Sequence, residues 1–204
     1  MDLIDKELEK VIKIKLGKFN NEEITAEDVQ KLVEININNK DFSGREKDIR
    51  LQELKRFPKL RSIELSNFII DDDIIELLNS FNEMGSLQLS SCSISSGILL
   101  NNPALKRLEL DYCNVNDYCC ISGAESLLIV GDRNIRLARI SGKENIKNLT
   151  IQKSIVRDFS SITEFTNLET LCLEDARGDS NSALEYIKNR NVKVEVKDEY
   201  KPMR

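Results

Sequence analysis

Five cysteines and a complete lack of histidine limit the chemistry open to this 204-residue chain. A thiol works as a nucleophile or metal ligand in its thiolate form, which needs a nearby cation, base or metal. Without an imidazole there is no cysteine–histidine pair and no general base suited to neutral pH. Cys119 and Cys120 are adjacent beside Tyr118, Cys172 stands alone, and no C-x-x-C or other zinc-ligand spacing occurs. Cys92 and Cys113 hold equivalent places in successive copies of a repeat, so they read as buried, stacked thiols. The acidic runs Asp71-Asp72-Asp73 and Glu174-Asp175 lack calcium-loop spacing, and the first suits the start of a helix. A glycine-rich phosphate loop and a nucleophile elbow are also missing. The expectation is therefore no catalytic residue, no metal site, no cofactor and no enzyme.

Composition points the same way. Charged residues make up 32% and aromatics 5%, with no tryptophan, so the core must be aliphatic. Net charge is −5 and pI about 5.1, and basic residues are interspersed with acidic ones. Nucleic-acid binding, which needs clustered phosphate-neutralising cations, is not expected. No apolar run is long enough to span a membrane. The N-terminal MDLIDKELEK is charged and has no signal-peptide core, which with the free-cysteine pattern predicts a cytoplasmic protein. An extracellular or surface location would follow if a leader had been removed.

What could position functional side chains is a phrase returning about every 20 to 24 residues. It reads Leu60-x-x-Ile63-x-Leu65, then Met84-x-x-Leu87-x-Leu89-x-x-Cys92-x-Ile94, then Leu105-x-x-Leu108-x-Leu110-x-x-Cys113-x-Val115. Aligned on the first apolar position, copies begin at Leu32, Leu60, Met84, Leu105, Glu125, Ile146, Leu168 and weakly Asn189, the copy at Glu125 being degenerate. Before them, Ile4, Leu8, Val11, Ile12 and Leu16 make a helical stripe stopped by Gly17, and Thr25 to Asp28 reads as a capping box. Short outer helical turns are expected around residues 49–57 and 71–81, and Val192, Val194 and Val196 alternate as a last strand. In each phrase the last two apolar residues alternate as in a strand and point inward. One coil cannot bury that row alone, so coils stack. The predicted class is α/β: a right-handed solenoid of about seven coils with a parallel concave sheet. Its organisation is a helical N-terminal cap over 1–31, repeats over 32–187, and a closing strand with a polar tail over 188–204, all one unit.

The phrases at 84, 105 and 146, the return from Val156 through Asp158, Phe159, Ile162 and Phe165 to Leu168, and the lead-in from Leu16 to Asp28 together resemble the bacterial leucine-rich repeat family, most closely its internalin-like branch. The resemblance covers nearly the whole chain and implies a horseshoe that binds protein. It says little of which partner, because the fold hosts many.

Residues between the inward positions should line the concave face. Most are small or polar: Glu34, Asn36, Asn38; Ser62, Glu64, Ser66; Ser86, Gln88, Ser90; Arg107, Glu109, Asp111; Asn148, Thr150, Gln152; Thr170, Cys172, Glu174. With Glu125 as the first position, the degenerate copy turns Leu127 and Ile129 outward, where apolar side chains would anchor a partner. A one-residue slip would send Leu128 and Val130 outward instead. The candidate partner-binding residues are Arg107, Glu109, Asp111, Leu127, Ile129, Thr150, Gln152 and Glu174. The function expected is non-catalytic binding of a protein partner by a monomer. The alternatives are a cytosolic inhibitor or immunity-type protein that blocks one enzyme, its acidity suiting a basic target, or a surface adhesin.

Overall fold

A computed structural model describes residues 3–40, 49–95, 97–115, 124–178 and 181–197. The chain opens with helix α1, Lys6–Lys15, and helix α2, Ala26–Lys31. Asp5 caps α1 by accepting from the amides of Glu7 and Leu8, and Gly17 ends it in the left-handed region at φ 69°. In α2 the capping box is complete: Thr25 accepts from the Asp28 amide, and the Asp28 carboxylate accepts from the Thr25 amide. Leu8 and Ile12 of the expected stripe are fully buried, but Ile4 is exposed and Leu3 takes the inward place, because the helix starts only after Asp5.

Eleven strands follow among the described residues. Eight five-residue strands form one wholly parallel sheet: β1 Glu34–Asn38, β2 Ser62–Ser66, β4 Ser86–Ser90, β6 Arg107–Asp111, β8 Ser126–Val130, β9 Asn148–Gln152, β10 Thr170–Glu174 and β11 Lys193–Lys197. They pair in sequence order, each with its neighbours and without slippage. Sequential parallel pairing requires a return segment after every strand, which is the definition of a coil. Three two-residue strands, β3 Ile69–Ile70, β5 Ser93–Ile94 and β7 Asn114–Val115, form a second parallel ladder just past the turns.

The returns vary in length and in helix content along the array. Helix α3, Asp72–Asn79, fills one, and 3₁₀ turns at Leu51–Arg56, Leu137–Arg139, Lys143–Asn145 and Phe159–Glu164 fill others, before helix α4, Asn181–Lys188. Phe57, Phe81, Phe159 and Phe165 pack inward from these returns against the strands' Leu and Ile rows, closing one continuous core. Polar side chains tie coil to coil. Asp158 accepts from the amides of Leu137 and Ala138 in the preceding coil at 2.7 and 2.9 Å. Fully buried Asn102 donates to the carbonyls of Leu78 and Phe81, both at 2.8 Å. Each satisfies backbone groups that the tight returns would leave without partners.

Candidate functional site

The inward row runs without a break through Leu108 and Leu110, Leu127 and Ile129, and Leu149 and Ile151. Leu127 and Ile129 are 2% and 1% exposed, so neither can meet a partner. The expectation that they face outward is therefore corrected. The first position of this coil is the buried Ala124, not Glu125, whose carboxylate instead pairs with Lys147 at 3.0 Å. The physical reason is register: a one-residue slip of β8 would turn its inward pair against the polar face and break the Leu and Ile rows on both sides. Leu128 and Val130 take the concave positions, both half-buried.

A signal for this register was present in the sequence. Two places after the last inward residue of β2, β4, β6, β8, β9 and β10, the backbone enters the left-handed region: Asn67, Ser91, Tyr112, Gly131, Lys153 and Asp175, with φ between 46° and 76°. Glycine is the residue best suited to that conformation. Gly131 stands two after Ile129, so it marks Ile129, and not Val130, as the last inward residue. By the same count Asp132 takes the place in this coil that Cys92 and Cys113 hold in theirs.

The other candidates stand where expected. Arg107, Glu109 and Asp111 of β6, Thr150 and Gln152 of β9, and Glu174 of β10 all lie on the concave side, flanking β8. Leu128 sits between Glu109 and Thr150, and Val130 between Asp111 and Gln152. Arg107 donates to Glu109 at 3.1 Å, and Gln152 to Glu174 at 3.2 Å. Burial, then the neighbouring Glu109 charge, raise the Asp111 carboxyl above its ordinary range, while Lys153 opposes them.

One participant was not anticipated. Tyr112 is 57% exposed, and its ring lies directly over Gly131, where a Cβ would come within 2.4 Å of Cδ1. Glycine is needed there both for its left-handed backbone and to admit the ring. Leu128, Val130 and Tyr112 thus place three large apolar side chains on two adjacent coils of an otherwise polar face. The N-terminal part of that face, with Ser62, Glu64, Ser66, Ser86, Gln88 and Ser90, offers nothing comparable.

Several of the remaining chemistry-bearing residues have structural roles. Cys92 and Cys113 are buried free thiols, donating to the carbonyls of Leu65 at 3.4 Å and Leu89 at 3.1 Å. The Cys92 thiol beside it, together with burial, pushes Cys113 well up, away from a reactive thiolate. Asp71 caps α3 through the Ile74 amide at 3.0 Å, and Asp72 accepts from Gly97 and Ile98 of the next coil. Cys119 and Cys120 lie outside the described residues. Among the described residues no helix is long and apolar enough to cross a membrane.

No family model and no curated protein matches the sequence. Solved structures do. The crystal structure of internalin C2 from Listeria monocytogenes superposes with a TM-score of 0.58 at 20% identity, over 95% of this chain and 86% of that one. A second internalin of that organism, InlF, gives a TM-score of 0.49 at 14% identity, over 98% and 71%. The fold is an internalin-like leucine-rich repeat solenoid. At these identities the likeness speaks for architecture alone. It accords with the helical lead-in, the sequential parallel sheet and the short 3₁₀ returns described above.

Proposed function

We propose that this leucine-rich repeat solenoid is a non-catalytic module that binds a protein partner on its concave face, centred on β8. The observation that carries this reading is the apolar group Leu128, Val130 and Tyr112 within a polar sheet face. Apolar anchors ringed by polar groups are the usual composition of a binding hot spot. Here the ring is Arg107, Glu109, Asp111, Thr150, Gln152 and Glu174, of which Arg107 bonds to Glu109 and Gln152 to Glu174. A regular sheet presents them with little freedom to lose on binding.

The test is a pair of double variants on the two faces of β8. Leu128→Thr with Val130→Thr keeps the melting temperature within a few degrees of wild type and loses capture of the partner from extracts of the source organism. Leu127→Ala with Ile129→Ala lowers the melting temperature. If the first pair binds as wild type does, the concave reading is wrong.

A further inference from the structure

Just beyond the strand ends of β8, β9 and β10 lies a depression of about 320 Å³ lined by Arg133, Lys153, Ser154, Ile155, Asp175 and Arg177. Three of these six are cations, in a chain whose net charge is −5. Arg133, Lys153 and Arg177 are all exposed, and among the described residues no carboxylate forms an ion pair with any of them. Arg177 bridges Ile155 from the following coil, and Arg133 lies opposite Ile155 in the preceding coil, whose chain carries one extra residue there; two parallel-strand spacings are roughly 10 Å. Both left-handed turns in the depression, at Lys153 and Asp175, are fixed by backbone hydrogen bonds to the next coil: the Lys153 amide donates to Glu174 and the Asp175 amide to Lys197. Buried Ser154 is also held, donating to the Gln152 carbonyl at 2.6 Å and accepting from the Asp132 amide at 3.1 Å. The scaffold under the three cations is therefore rigid.

The depression adjoins the concave patch. Gly131, which carries the Tyr112 ring, neighbours Lys153 in the row of left-handed turns, and Val130 is only three residues from Arg133. We propose that it seats a carboxylate of the protein partner, borne a short step along that partner's chain from the apolar side chain meeting Leu128 and Val130. This rests on the concave-face reading. Two guanidinium forks and one ammonium suit a planar carboxylate, which accepts two parallel hydrogen bonds from one arginine and has lone pairs left for the other donors. The single Asp175 lowers the local charge, which favours a monoanionic carboxylate over a phosphate dianion. The open, solvent-facing form suits a side chain reaching over the rim of the sheet.

The experiment uses the whole chain labelled with ¹⁵N, titrated at low salt with a blocked tetraglutamate peptide, a blocked tetraserine peptide and inorganic phosphate. Tetraglutamate alone should move the backbone amides of residues 131–134, 153–155 and 175–177 saturably, and added salt should reverse the shifts. Arg133→Ser with Arg177→Ser should weaken that titration by roughly tenfold or more, since charge-assisted hydrogen bonds are lost. Both arginines are exposed, and the backbone bonds of Arg177 do not involve its side chain, so the variant's spectrum should stay folded. Leu128→Ser with Val130→Ser should leave the titration unchanged, which separates this site from the concave patch. Shifts that persist without the arginines, or vanish with the Leu128 and Val130 variant, overturn the assignment. So does phosphate acting as strongly as the peptide, which would make the depression a free-anion site.

Discussion

The two sides of β8 carry the same chemistry and meet opposite fates. Leu127, Leu128, Ile129 and Val130 are four consecutive aliphatic residues, yet one alternate pair is sealed in the core and the other stands on the concave face. In β6 or β9, alternation between apolar and polar residues announces the orientation. In β8 it cannot. The comparison teaches that in a stacked array a strand's orientation is set by its neighbours' rows, which β8 must continue on both sides.

The sharpest way to break the comparison is a charge on each side. Ile129→Glu should cost more than about 4 kcal/mol, enough to unfold a marginally stable chain, because it leaves an unpaired carboxylate in the core. Circular dichroism on heating would show lost or strongly lowered cooperativity. Next, Ile129→Ala should cost about 2–5 kcal/mol through lost packing, measured by urea denaturation. Gly131→Ala should cost about 1–2 kcal/mol for forcing a side chain into the left-handed region, and more because the new Cβ meets the Tyr112 ring. Adding Tyr112→Ala should recover the ring's share and leave the backbone's, a non-additivity that a double-mutant cycle reads directly.

The N-terminal cap offers a smaller, pH-dependent contrast. The hydrogen bonds from the Thr25 amide and hydroxyl, with Lys18 nearby, hold the Asp28 carboxyl down at about 2. A depressed folded pKa gives stability that is full above the ordinary carboxylate value of 3.8 and fades as pH falls toward 2. Thr25→Ala should cost about 1 kcal/mol at neutral pH, and the difference from wild type should shrink below pH 4. β8 carries no titratable side chain, so the cost of Ile129→Ala should not move over that range. Leu128→Glu, half-buried opposite Glu109, should cost no more than about 1 kcal/mol, well below Ile129→Glu. A large loss there would mean that the outward side of β8 is core as well.

Much of the architecture is legible in the residues. The phrases at Leu60, Met84, Leu105, Ile146 and Leu168 place their strands correctly, since inward and outward residues differ in polarity at each. Thr25 and Asp28 announce their capping box, and Asp71 its helix start. Six of the eight candidate site residues lie on the concave face for the same reason. Leu127 and Ile129 do not, because four consecutive aliphatic residues give polarity no guide to the register and the small Ala124 is a faint start. Tyr112 was overlooked because its place after a strand is filled in other coils by Asn67, Ser91 or Lys153, residues with no shared chemistry.

The sequence by itself determined that this chain winds into stacked parallel coils around an aliphatic core, because an apolar phrase returning about every 20 to 24 residues is buried when successive coils stack. Only the tertiary structure decided which aliphatic side chains of β8 remain to meet a partner, that Tyr112 folds over Gly131 beside them, and that Arg133, Lys153 and Arg177 share one depression. Each of those depends on contacts between coils about 20 residues apart, and local pattern cannot encode what lies one coil away.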